Sequence, residues 1–409
     1  MVDAASPAGR HLAAAELLAG KPPEAPLAVS VETFDAEALE RYAALCEWAV
    51  FGAHQSPLYL SAWAKEAGAE MVSVTIGERS RPQFILVLEI VRRGMFRIAR
   101  FPGGRHANGN FPATMPGLPD TDCDAAAISA LPAALRAARP DIDLLSLERI
   151  EPARDGVENP LVAIATGISP NVSLAVDLSG GFEAVLGRTS GKRKMKKHRS
   201  QTRKFESAGG HRLIHAQTAA EVDALLSAFF SMKRQRFRRM GIRNVFAKKE
   251  VQAFFRRLYR EGLNAASPRF ALHGLEVGGT LRAVTGCSVL GNRMTCDFSA
   301  IREAGIASAS PGDFLFFEDI RFACDAGLAV FDFSVGDEPY KRLWCDIETW
   351  QHDVFLPLSG KGRSLAWVRQ RLGVAKGALK NNPAVWGLAK RLRRGIAGRR
   401  TTDMDESQV

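Results

Sequence analysis

Hydrophobic and polar positions along the chain run through one order of elements twice. In the first pass, helical spacing predicts helices near Ala36–Val50 and over Pro57–Ala67. Alternating positions then predict strands over Met71–Ile76, Gln83–Val91 and Phe96–Phe101. A helix over Asp122–Ala138 and a strand over Asp143–Leu147 close that pass. The second pass predicts helices over Ala219–Arg239 and Lys249–Gly262, then strands over Phe270–Val277, Leu281–Leu290 and Met294–Ser299. A helix over Gly312–Ala326 and a strand over Val330–Ser334 complete it. Gly77-Glu78-Arg79, Arg93-Gly94, Gly278-Gly279 and Gly291-Asn292 supply the turns between the meander strands.

Between the passes, a strand over Val172–Leu178 leads through Phe182–Leu186 into the run Arg188–Lys204. Nine of these seventeen residues are Lys or Arg. Met195, Arg199 and Phe205 make no wide apolar stripe, so the run reads as an exposed basic helix. The order of elements implies an α+β protein of two tandem lobes, each a mixed, mainly antiparallel sheet flanked by helices. The expected divisions are a mobile leader over 1–26, an N-terminal lobe over 27–170, a C-terminal lobe over 171–360 and a basic helical appendage over 361–409.

Composition adds boundaries to this picture. The 409 residues suffice for two ordinary cores, and 46% apolar with 24% charged residues is a globular balance. No window approaches 18 uninterrupted apolar residues, and the N-terminus lacks a basic n-region and an apolar core, so neither a membrane span nor a signal peptide is expected. The six cysteines and eight histidines show no metal-ligand spacing, so no metal site is expected and the cysteines read as reduced thiols. The net charge of +11 is concentrated: residues 361–400 hold twelve Lys or Arg and no acid, and the last nine residues carry −3. Residues 1–360 are therefore close to neutral.

The stretch from Arg293 to Trp344 carries the candidate chemistry. Ser310 is placed as N-cap and Pro311 as first helical residue, so the backbone over Ala309, Ser310, Pro311, Gly312 and Asp313 would turn its N–H groups, all but the one that proline lacks, toward the loop and suit a pyrophosphate. The matching position in the first lobe, Thr121-Asp122-Cys123-Asp124, would repel one. Strand Met294–Ala300 ends beside the Ser310-Pro311 helix start and would present a substrate carbonyl to the same crevice, a geometry that suits an acyl-CoA-dependent transferase. Such a transfer needs a base for the nucleophile, polarisation of the thioester and an acid for the leaving thiolate. Asp297, on one face with Thr295 and Ser299, is the candidate base or acceptor ligand. Tyr340 is the candidate acid for the thiolate, and Lys341 a candidate for a phosphate, an acceptor carboxylate or the oxyanion. Glu318 reads as solvent-facing, Asp332 as a second buried-carboxylate candidate or a structural partner for an arginine or a backbone group, and Trp344 as a packing anchor. Gly103-Gly104-Arg105-His106 reads as a connecting loop. No serine or cysteine nucleophile motif is present, so direct attack on the thioester is preferred.

Pro311-Gly312 ahead of an amphipathic helix, Asp332-Phe333, and Gly336-Asp337-Glu338-Pro339-Tyr340-Lys341-x-x-Trp344 resemble the CelD/BcsL-type acetyltransferases. These are part of the wider GNAT superfamily and cousins of the FemAB peptidyltransferases. The resemblance extends more weakly from about His54 to about Leu358. It implies GNAT-like lobes, an acyl-CoA donor (acetyl-CoA first) and a link to exopolysaccharide or envelope assembly, with the polar acceptor undefined. The loop Ala307-Ser308-Ala309-Ser310-Pro311-Gly312 departs from the common GNAT phosphate loop. No permanently bound cofactor is expected. The alternatives are a FemAB-type tRNA-dependent aminoacyltransferase and a non-catalytic accessory protein of exopolysaccharide assembly.

The basic tracts admit three readings: solvated faces, contact with anionic lipid or glycan, and contact with RNA, with nucleic acid last of the three. Val385, Leu388, Leu392 and Ile396 in Pro383–Gly398 make a short basic amphipathic helix, so residues 377–400 are expected to touch an anionic membrane. The protein is accordingly read as cytoplasmic and peripheral to the inner membrane face.

Overall fold

A computed structural model of the chain describes residues 27–118, 122–302, 305 and 309–380. The leader, Ala307, Ser308, Thr121 and the helix expected over Pro383–Gly398 lie outside the described residues.

The chain divides into two compact units. One takes the chain up to Ser173 together with Ser334–Asp337 and Glu348–Leu372; the other takes Leu174–Phe333, Glu338–Ile347 and the chain from Gly373. The first unit contains β1 (Val29–Thr33), α1 (Ala36–Cys46), α2 (Pro57–Ala67), β2 (Glu70–Glu78), β3 (Arg81–Arg93), β4 (Phe96–Arg100) and β5 (Ala113–Thr114). It continues through α3 (Asp122–Ala138), β6 (Leu144–Ile150) and a small hairpin of β7 (Ala153–Arg154) and β8 (Val157–Glu158). β9 (Gly167–Asp177) leads into the second unit, with α4 (Gly181–Arg188), α5 (Gly191–Ser207), β10 (His211–His215), α6 (Ala219–Arg239) and α7 (Lys249–Gly262). There follow β11 (Arg269–Val277), β12 (Thr280–Leu290), β13 (Arg293–Ile301), α8 (Pro311–Asp325), β14 (Val330–Val335) and α9 (Pro339–Arg342). β15 (Ile347–Pro357) and α10 (Gly360–Lys380) end the described chain.

Local signals account for the helix starts. Ser56 accepts from the Tyr59 N–H with Pro57 at the first helical position, and Thr218 and Glu221 form a reciprocal capping box that opens α6. In the first unit the strand order is β1-β2-β3-β4-β6-β15, antiparallel except for β4 beside β6. Its core joins Val74, Phe84, Leu86 and Leu88 to Ile128, Leu131 and Leu135 of α3. In the second unit the order is β9-β14-β13-β12-β11-β10, with β13 and β14 parallel and the meander antiparallel. Each unit is thus a mixed, mainly antiparallel sheet flanked by helices. α7 buries Phe254, Phe255, Leu258 and Tyr259, each such side chain contributing about 1.5–3 kcal/mol of apolar burial.

The basic run differs from its expectation. α5 is not simply exposed: Gln201 and Phe205 are buried, and His198 lies between the rings of Phe314 and Phe317 at 4.3 and 4.1 Å. Among the described residues no helix is long and apolar enough to cross a membrane.

Candidate functional site

β13 and β14 pair in parallel over Arg293–Thr295 and Val330–Asp332, and β13 continues past that pairing to Ile301. On its other side β13 pairs with β12, where Gly286 opposes Phe298 and Cys287 opposes Cys296. Asp297 is therefore the extra residue of a β-bulge, a device that re-aims a side chain. Its carboxylate accepts from the Ser288 hydroxyl at 3.2 Å.

The chain then reaches the start of α8. A Cβ on Gly312 would stand 2.6 Å from Ile301 Cγ2, so the absent side chain lets the helix start press onto the end of β13. Ser310 occupies the N-cap position but corrects the expectation drawn from the sequence. Its backbone is left-handed, at φ 47°, and its hydroxyl makes no capping bond. The helix start is instead held from α5, where Gln201 Nε2 donates to the carbonyls of Ala309 and Ser310 at 2.9 and 3.1 Å.

The inner seam of α5 fixes this packing. His198 Nε2 lies 2.6 Å from Glu318 Oε1, and Phe205 meets Phe314 edge-on at 5.1 Å. Glu318 is consequently buried, also paired with Arg321, and does not face solvent as its position suggested. The outer side of α5 lines two clefts against the helix start. One, of about 300 Å³, is lined by Arg193, Lys196, Lys197, Ser200, Gln201, Lys204 and Ala309. The other, of about 160 Å³, is lined by Ser190, Arg193, Lys194, Lys197, Gln201, Asp313, Phe317, Leu343 and Trp344.

Among the described residues that line the clefts, five cations face one carboxylate, and Lys197 pairs with it, at 2.8 Å from Asp313. Lys194 lies 4.3 Å from the Trp344 ring centroid and donates to the Leu343 carbonyl at 2.6 Å. Partial burial, reinforced by Arg193 and opposed by Asp313, lowers its pKa to about 8. A bound polyanion would reverse that penalty. Cations, paired backbone groups and a helix N-terminus in one concave place suit a phosphate-bearing ligand.

Of the remaining candidates, Asp297, Tyr340, Lys341 and Asp332 line neither cleft. Tyr340 and Lys341 are neighbours on the short helix α9. Tyr340 stacks on Phe316 at 5.3 Å and meets Phe333 edge-on, and burial, then Cys296 and Glu338, raises its pKa well above the ordinary value. Lys341 is buried and pairs with Glu338 at 3.0 Å. Asp297 lies on β13 and accepts from Ser288 on β12. Asp332 pairs with Arg293 at 2.9 Å, and Trp344 is buried against Phe317. Among the described residues no His, Cys, Asp and Glu group could hold a metal ion, and Cys46, Cys287, Cys296, Cys324 and Cys345 are free thiols.

Sequence reasoning placed the helix start but missed the cationic wall of Arg193, Lys194, Lys196, Lys197 and Lys204. The available signal was the spacing of His198, Gln201 and Phe205, a narrow seam with two polar members.

Residues 192–342 match the family described as an acetyltransferase (GNAT) domain. No curated protein sequence matches the chain. Among solved structures the chain is similar to FemX, with 11% identity, 81% of this chain and 98% of that one covered, and a TM-score of 0.53. It is also similar to a tandem GNAT protein from the clavulanic acid biosynthesis pathway, with 11% identity, 81% and 99% coverage and a TM-score of 0.47. L-PGS from Bacillus licheniformis gives 12% identity, 88% and 99% coverage and a TM-score of 0.47. At these identities the likeness to FemX concerns the fold. The matched segment runs from the start of α5 to the end of α9 and is similar to a GNAT acetyltransferase domain, and all five cations of the clefts fall within it.

Proposed function

We propose that the second unit transfers an acyl group, with acetyl-CoA as donor, to a hydroxyl or amine of a polar acceptor by direct attack on the thioester. The observation that carries this reading is the five-cation wall of α5 facing Ala309–Asp313. The donor pyrophosphate would lie against Arg193, Lys194 and Lys197, with the thioester directed toward β13. Asp297 would take the proton as the acceptor oxygen or nitrogen bonds to the acyl carbon and the C–S bond breaks.

Tyr340 is suited to stabilising the departing thiolate by a hydrogen bond rather than by full proton transfer. An ordinary phenol, of pKa about 10, is already a weaker acid than a thiol of about 8.5, and burial weakens this one further. Lys341, already neutralised by Glu338, would position α9 at the site. The CelD/BcsL-type resemblance favours an exopolysaccharide or envelope precursor as acceptor.

Calorimetric titration of the full chain with acetyl-CoA tests this reading. Saturable binding that weakens about a hundred-fold or more in Arg193→Glu/Lys197→Glu is expected, since two charge-assisted contacts become repulsive. No binding of any short acyl-CoA, with binding of aminoacyl-tRNA instead, would overturn it.

A further inference from the structure

We propose that the first unit docks on an anionic phospholipid surface through the outer face of α10 and the adjoining β3–β4 turn. The inner face of α10 is fixed: Leu365 and Ala366 pack with Val91, Phe96, Ile98 and Leu144. Ser359 bonds to Asp143 at 2.7 Å, Lys361 Nζ lies 3.1 Å from Asp143, and Arg369 pairs with Glu148 at 3.1 Å. These contacts determine which side chains face outward. Trp367, Val368, Arg371 and Leu372 fall within an arc of about 140° on the side opposite Gly362 and Ala366.

That outward arc is apolar where a solvated helix would be polar. Trp367 is 60% exposed, Leu372 50% and Val368 41%, and Met95 in the β3–β4 turn is 66% exposed. Lys361 Nζ donates to the Met95 carbonyl at 3.1 Å, which ties that turn to the start of the helix. Arg92, Arg93, Lys361, Arg363 and Arg371 are exposed with these apolar groups. Partial burial and then the charges of Arg100, Arg369 and Arg105, opposed by Glu148, hold the Arg93 guanidinium below its ordinary value. The nearby carboxylates Asp143 and Glu148 already have basic partners.

Charge complementarity selects the occupant. Basic side chains reach headgroup phosphates while a tryptophan and aliphatic groups beside them enter the interfacial layer; phosphates alone would leave Leu372, Val368 and Met95 in water. The sequence beyond continues the same pairing, with no acidic residue before Asp403 and Trp386 among lysines and arginines.

The full chain, co-sedimented with phosphatidylglycerol-containing vesicles, is expected to bind at low salt and to be released at high salt, with no binding to neutral phosphatidylcholine vesicles. Trp367→Ser/Leu372→Ser and Arg363→Gln/Arg371→Gln replace exposed side chains. Each pair should lower partitioning about ten-fold or more while acetyl-CoA binding stays unchanged. Vesicle binding by Trp367→Ser/Leu372→Ser equal to that of the parent chain would overturn the proposal. So would failure of the parent chain to bind anionic vesicles, whether or not it binds RNA.

Discussion

Replacing Lys194 with methionine should make the unliganded protein slightly more stable and acetyl-CoA binding weaker, two effects of opposite sign from one side chain. Lys194 carries its charge in a half-buried position, where its pKa falls from 10.5 to about 8. The shift means that folding disfavours the charged form. This cost is fully present below pH about 8 and is relieved as pH rises toward 10.5. Because the ammonium remains partly in solvent, the cost is discounted to at most about 1 kcal/mol. Methionine keeps apolar contact with the Trp344 ring, and water can satisfy the exposed Leu343 carbonyl. Binding should suffer by more, since a hydrogen bond to a charged group contributes about 1.5–3 kcal/mol, or roughly ten- to a hundred-fold in affinity. At a ligand concentration one hundred times the parent dissociation constant, stabilisation would fall from about 2.7 to about 1.4 kcal/mol for a ten-fold weaker site. Thermal melting with and without acetyl-CoA across about pH 7–9.5 reads both effects. Parent affinity should decline as pH rises through about 8, while the variant shows no such step. An unchanged ligand-induced shift in Lys194→Met would refute the assignment of this lysine to the donor.

Other substitutions test the supporting contacts. Gln201→Leu leaves the carbonyls of Ala309 and Ser310 without that donor and should cost about 1–3 kcal/mol in denaturant unfolding, with weaker acetyl-CoA binding; parental stability would contradict it. Tyr340→Phe keeps the stack on Phe316, so melting should be unchanged while turnover falls about ten-fold or more; an unaltered rate would remove Tyr340 from the reaction. Asp297→Asn should lower turnover about 10²–10⁴-fold with donor affinity retained, and normal turnover would mean that another group is the base. Gly362→Ala places a Cβ 1.8 Å from the Asp143 carbonyl oxygen, so urea unfolding should show a loss of about 3 kcal/mol or more; a neutral effect would mean that α10 can lift from β6 at little cost.

Most elements of both units were legible because their patterns are local. Ser56-Pro57 and the Thr218–Glu221 box mark helix starts, and the meander strands alternate between glycine turns. β15 escaped because its inward positions include Gln351 and Asp353, buried polar side chains that break an apolar alternation. β10 is short and carries histidines at both ends. The start of α8 was legible from Ser310-Pro311-Gly312, but the left-handed Ser310 was not, since Gln201 from a distant segment holds the carbonyls of Ala309 and Ser310. The role of α5 was hidden for the same reason. A lysine-rich helix reads as solvated until a tertiary partner, here Phe314, Phe317 and Glu318 of α8, turns its seam inward and leaves its cations around a cleft.

The central claim is that acyl-CoA binds between α5 and the start of α8. Backbone hydrogen exchange of the full chain with and without saturating acetyl-CoA tests it most directly. Slowed exchange is expected over residues 191–204 and 309–317, and the slowing over residues 191–204 should be lost in Arg193→Glu/Lys197→Glu. Slowed exchange confined to the first unit, or none in either segment at saturation, would contradict the account.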